Sequence, residues 1–271
     1  MKETALLIGA HRALFGICTE ADSTHGVGAV ILNAGLLHHV GPFRLHVELA
    51  RRLAGDGIPA IRLDQSGKGE SPARQGASFE ESMLLDYDDV AAELGKRGVD
   101  KIYLVGLCSG ADDAMYIAQH RPAVAGLVFM DGYAARTPKY AVKRYGPKAL
   151  DAGAWARAAG RVTRRLASSP EDNGDGGGGG IDIRNWSSKE EMLAAYLQIL
   201  QNDTRILATF TEGAGDYYNY EGQLAELLGE SPVVASHLRE IYYPDSDHLF
   251  TIHAHRQRLV ADIVDWIKSA T

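Results

Sequence analysis

Cysteine is scarce. Cys18 and Cys108 are the only two in 271 residues, too few for a disulfide framework and wrongly spaced for a zinc or redox Cys-x-x-Cys site. Positive charge is also short: 28 Lys and Arg stand against 35 Asp and Glu, for a net charge of −7 and a pI near 5.8. No sequence-wide attraction therefore draws the chain to nucleic acid or to an anionic membrane. No apolar run approaches the roughly 18 to 20 residues of a membrane span. The start, Met1 to Arg12, lacks the apolar core of a signal peptide. Together these absences lead to the expectation of a cytoplasmic protein in a reducing compartment. What is present, 45% hydrophobic and 23% charged residues, suits one globular domain with a full core and room for an insertion.

Apolar runs of strand length alternate with longer amphipathic stretches, the pattern of an α/β domain on a mainly parallel sheet. The spacing predicts a hairpin over 3–19 and strands over 29–33, 58–64, 101–105, 126–130, 205–211 and 240–243. It predicts helices over 43–55, 79–97, 110–120 and 256–267. Residues 132–203 break this rhythm. From Arg136 to Arg165 nine basic residues face one acid, Asp151, a net +8 that leaves −15 for the rest of the chain. Beyond it the unbroken Gly176 to Gly180 run predicts a flexible loop at 173–180. The expected organisation is a core from 1–131 and 204–271, with 132–203 as an inserted cap carrying helices near 140–166 and 187–202.

The strongest chemical signal is Tyr103-Leu104-Val105-Gly106-Leu107-Cys108-Ser109-Gly110-Ala111, which reads as strand, tight turn and helix. In a nucleophile elbow, small residues two before and two after the nucleophile permit a strained turn that lifts its side chain above the sheet. Gly106 and Gly110 put Cys108 at that point. Ser109 falls one residue into the turn, where it offers its backbone N–H to an oxyanion. A thiol at a helix N-terminus beside a histidine is biased towards thiolate, whereas Cys18, in the leading hairpin, suits a small core residue.

Such a nucleophile needs an orienting acid and a base, which follow it in that order. His248, in Tyr242-Tyr243-Pro244-Asp245-Ser246-Asp247-His248-Leu249-Phe250 between the last strand and the closing helix, is the expected base. For the acid, Asp216 leads, in the Gly-rich turn that follows strand 206–210, with Glu212 and Asp131 as rivals. The loop after strand 29–33 supplies the second oxyanion donor, Leu36 with Leu37 as alternate, and Gly35 lets the chain turn there. His38 and His39 are expected at the mouth of the site as substrate-binding residues. Adjacent side chains diverge and no carboxylate partner is evident nearby, so no metal is expected.

Gly106-Leu107-Cys108-Ser109-Gly110 with Asp216 and His248 resembles the α/β-hydrolase superfamily over essentially the whole chain. The resemblance implies a mainly parallel sheet flanked by helices, with a helical cap inserted. The cysteine-centred elbow is similar to that of dienelactone hydrolase-like enzymes and of a minority of thioesterases. Gly35 to Arg44 and Leu63-Asp64-Gln65-Ser66-Gly67-Lys68-Gly69-Glu70-Ser71 resemble hydrolases associated with bacterial exosortase A systems, the second being the superfamily's common Asp-x-x-Gly-x-Gly-x-Ser loop. The implied activity is hydrolysis of a carboxylic ester or thioester through a Cys-His-Asp triad and an S-acyl enzyme, without a cofactor. Thiolate leaves readily from its own tetrahedral adduct, which favours activated acyl donors over amides. The basic stretch adds the expectation of an anionic donor or carrier, such as a phosphopantetheine arm. Two alternatives stay open: an acyltransferase or cyclising thioesterase using the same triad, and a non-catalytic binding protein on the same fold.

Overall fold

The computed structural model describes residues 1–149 and 188–270. Eight strands form one sheet: β1 (Lys2–Ile8), β2 (Leu14–Glu20), β3 (Val27–Ile31), β4 (Ala60–Leu63), β5 (Lys101–Leu107), β6 (Val124–Met130), β7 (Arg205–Thr211) and β8 (Leu238–Tyr243). They lie in the order β1-β2-β4-β3-β5-β6-β7-β8. The leading hairpin is antiparallel and joins β4 antiparallel; every later pair is parallel. β3 is buried along its whole length, as a strand covered on both faces must be.

The period of two along each strand feeds two cores. On β5, Ile102 and Leu104 join the cluster under α2 (Phe79–Gly95), α3 (Ser109–His120) and a later helix. Tyr103, Val105 and Leu107 join the opposite cluster, under α1 (Leu45–Gly55) and the closing helix (His253–Ser269). The other helices are α4 (Pro138–Ala149), α5 (Lys189–Gln201), α6 (Gln223–Leu228) and α7 (Pro232–His237), so the closing helix is α8. Both α2 and α5 begin with a capping box, Ser78 with Glu81 and Ser188 with Glu191, a local start signal written in the sequence.

Two expectations change. Helix α5, assigned to the cap, buries Met192, Tyr196, Ile199 and Leu200 in the same cluster as α3 and β6, so it packs as a core helix. Composition placed it in the insertion, but its apolar stripe decides where it goes. The six-residue helices α6 and α7 were not expected. The loop at 173–180 and the basic residues Arg157, Arg161, Arg164 and Arg165 lie outside the described residues.

The strand order positions the site. From β3 the chain crosses to β4 on one side, and from β5 it crosses to β6 on the other, so the loops leaving the two adjacent strands diverge. Such a switch point opens a crevice at the carboxyl ends of the strands.

Candidate active site

Cys108 stands in that crevice, between the end of β5 and the start of α3. Its φ of 58° and ψ of −126° lie where non-glycine residues are strained by about 1–3 kcal/mol. The turn is held from both sides. Cys108 N–H donates to the Met130 carbonyl at 2.9 Å, and its own carbonyl accepts from Ala111 N–H at 3.0 Å. A Cβ on Gly106 would lie 2.0 Å from the Gly110 carbonyl oxygen, and one on Gly110 would lie 2.2 Å from the Asn33 carbonyl oxygen. Both neighbours are backbone, so both positions require glycine.

His248 brings its ring to this thiol and hydrogen-bonds it. On its other side Nδ1 meets Asp131 Oδ2 at 2.9 Å. The bonds to Asp131 and then Cys108 outweigh burial and, with the charges of both partners, push His248 up to about 10. The ring is then a cation at neutral pH, donating from both nitrogens. The loop that carries it is braced. The Asp247 carboxylate accepts from Leu249 N–H at 3.0 Å and from the Thr251 hydroxyl at 2.9 Å, and Glu212 N–H donates to the Ser246 carbonyl at 3.1 Å. A Cβ on Gly213 would lie 2.6 Å from His248 Cβ, so the turn after β7 packs directly against the histidine.

The acid at the histidine is Asp131, not Asp216. Asp131 follows β6 directly, with φ 46°, and is 0% exposed. Asp216 lies on the far side of the turn after β7. Its carboxylate is 84% exposed and pairs with Arg144 at 3.0 Å. Its carbonyl accepts from Arg136 Nε at 2.7 Å and from the Tyr140 hydroxyl at 2.8 Å. The short helical turn Glu212–Ala214 thus carries Asp216 past the site to anchor α4. Glu212, the other rival, is exposed.

The loop after β3 abuts the elbow: Gly35 N–H donates to Ser109 Oγ at 3.1 Å. Ser109 is thereby committed to holding the loop. Among the described residues the N–H groups of Leu36 and Ser109 have no acceptor, as two oxyanion donors require before substrate arrives. The His39 ring is tied to a buried carboxylate. The N–H and Nδ1 of His39 meet the two oxygens of Asp64, at 2.6 and 2.8 Å. Asn33 Nδ2 and Glu70 N–H also donate to this carboxylate. Burial would raise the Asp64 carboxyl, but these bonds from His39, Asn33 and Glu70 hold it below its usual value. A Cβ on Gly69 would lie 2.3 Å from Asp64 Oδ2, which explains the second glycine of the Asp-x-x-Gly-x-Gly loop. His38 is exposed, its ring centre 5.2 Å from that of His39. No group of three potential metal ligands occurs among the described residues, and no described helix is long and apolar enough to cross a membrane.

Residues 24–212 match the family model Hydrolase_4, serine aminopeptidase, S33. Among solved structures the chain is similar to an esterase of Pyrococcus furiosus, at 14% identity over 99% of this chain and 90% of that one, with a TM-score of 0.59. It is similar to a thermophilic esterase from Thermogutta terrifontis at 18% identity over 100% and 99%, with a TM-score of 0.52. It is also similar to the proline iminopeptidase of Mycobacterium smegmatis at 14% identity over 99% and 98%, with a TM-score of 0.55. No curated protein matches it. The fold is the α/β-hydrolase fold.

Proposed function

The chain belongs to the serine aminopeptidase S33 family of α/β-hydrolases, and we propose that within this family it cleaves a carboxylic ester or thioester with cysteine in place of serine. The observation that carries the reading is the single ring of His248, bonded to Asp131 on one side and to Cys108 on the other. Ser109 does not compete for the role, because it sits one residue into the turn with its hydroxyl on Gly35.

In the proposed reaction the Cys108 thiolate attacks the acyl carbonyl. The N–H groups of Leu36 and Ser109 receive the charge that develops on oxygen. The adduct collapses as His248 gives its proton to the leaving alkoxide or thiolate, which leaves Cys108 acylated and His248 neutral. Neutral His248 then takes a proton from water attacking the acyl group. When Cys108 departs as thiolate it meets an imidazolium again, and the acid product loses its proton to solvent.

Cysteine at the elbow supports thioesters and other activated acyl donors, in keeping with the similarity to dienelactone hydrolase-like enzymes and thioesterases. The exosortase A-associated hydrolases are the subfamily reading that Gly35 to Arg44 supports together with Leu63 to Ser71. An anionic carrier such as phosphopantetheine draws its support from the basic stretch alone. Arg136 and Arg144, its described arginines, are engaged at Asp216, and Lys139 and Lys143 lie over the Tyr220 ring. We also propose that the insertion after β6 caps the site and that the protein works in the cytoplasm, where a thiol nucleophile stays reduced.

Turnover of p-nitrophenyl esters and acyl thioesters tests the assignment. Cys108→Ala and His248→Ala are expected to abolish it, and Asp131→Asn to lower kcat by about 10⁴-fold, as loss of an orienting acid does elsewhere. Asp216→Asn is expected to stay close to wild type. Full activity in Cys108→Ala, or equal losses in the two aspartate variants, would contradict it.

A further inference from the structure

The Asp131 carboxylate is fully buried, and a buried polar group needs donors in place of its water. Thr211 supplies two of them. Its N–H reaches Asp131 Oδ1 at 2.7 Å and its Oγ1 reaches Oδ2 at 2.5 Å, the same oxygen that meets His248 Nδ1. The direction of the hydroxyl bond is fixed by a third contact. Thr211 Oγ1 accepts from Gly213 N–H at 3.0 Å, and an ionised carboxylate can only accept, so the one hydroxyl proton goes to Asp131.

The strands explain why this residue fits. Met130 pairs with Thr209 in the parallel ladder of β6 and β7, and Asp131 N–H still donates to the Thr209 carbonyl at 2.9 Å. At the next rung the Asp131 side chain takes the place of a backbone acceptor for Thr211 N–H. The ladder therefore ends on the carboxylate itself, and the turn from Thr211 to Gly213 touches both the acid and the His248 backbone.

We propose that Thr211 is the positioning residue of the site, aiming the Asp131 carboxylate at His248 through its hydroxyl and N–H; the inference rests on the Cys108–His248–Asp131 reading above. Thr211 touches neither substrate nor thiol and acts through Asp131.

The test compares Thr211→Val, which keeps the shape and the N–H but removes the hydroxyl, with Thr211→Ser, which restores it. Thr211→Val is expected to lower kcat about 10- to 100-fold, the worth of one charge-assisted hydrogen bond, with KM little changed. The acid limb of Cys108 alkylation by iodoacetamide should move up by about one pH unit, because a weakened Asp131 supports the imidazolium less. Thr211→Ser should recover both readouts. Thr211→Ala reads the same loss if circular dichroism shows that the valine variant is unfolded. Wild-type kcat and an unmoved pH profile in the hydroxyl-free variant, with turnover still dependent on Cys108, overturn the positioning role alone. Turnover that survives Cys108→Ala overturns the triad reading and this inference with it.

Discussion

Cys108 combines a strained backbone, two flanking glycines that admit no Cβ, and a histidine held cationic. The first two were legible in the sequence, because Gly-x-Cys-x-Gly between an apolar strand and a helix has few other physical uses. His248 was legible from its place before the closing helix. Its acid was not. Asp216 and Asp131 both follow strands, and the spacing in the sequence does not say that a short helical turn carries Asp216 to Arg144. The signal for Asp131 was its place directly at a strand end, where a non-glycine residue can turn its side chain along the sheet's edge. The Asp64 partner of His39 was not legible for a related reason, since it lies 25 residues away. A pH prediction belongs at this scale. His248 is cationic until pH rises through about 10, so the imidazolium that supports the thiolate is present at neutral pH and disappears only above that range. Alkylation of Cys108 by iodoacetamide is therefore expected to be nearly flat from pH 6.5 to 9. In His248→Ala it should fall about 10- to 100-fold at pH 6.5 and follow an ordinary thiol near 8.5. A wild-type rate that climbs tenfold per pH unit up to 8.5 would contradict it.

Among the elements, the long periodic segments declared themselves, because a buried parallel strand is a short unbroken apolar run and an amphipathic helix repeats every three to four residues. The short helices α6 and α7 offered fewer than two turns of pattern. Helix α5 shows the opposite case: its periodicity was legible over 187–202, while its packing against α3 was a tertiary fact that no local pattern contained. The junction of α3 with the loop after β3 yields a prediction of its own. A methyl group at residue 110 would meet the Asn33 carbonyl 2.2 Å away, so either the helix or the loop must move. Gly110→Ala is expected to cost about 1–3 kcal/mol in urea unfolding, the range for overpacking. It should also lower kcat at least tenfold, by displacing the loop that presents Leu36. Wild-type stability and kcat in that variant would show that the elbow and the loop are not locked together.

For the whole molecule, the sheet order sets the site at a switch point between β3 and β5, and three separate stretches of chain converge there: Cys108 after β5, Asp131 after β6 and His248 after β8. The α/β class and the parallel sheet followed from alternation along the chain, whereas the convergence of the acid needed the sheet itself. The net charge of −7 conceals a basic stretch, of which Arg136 and Arg144 bond Asp216 and Lys139 and Lys143 lie over the Tyr220 ring at the protein surface. Intact-mass spectrometry of the full chain, acid-quenched during turnover of a p-nitrophenyl ester or an acyl thioester, tests the covalent chemistry most directly. The expected result is one added acyl group on the peptide containing Cys108, released by hydroxylamine and absent from Cys108→Ala. Turnover with no adduct under any quench, or an acyl group on Ser109, would contradict a cysteine nucleophile.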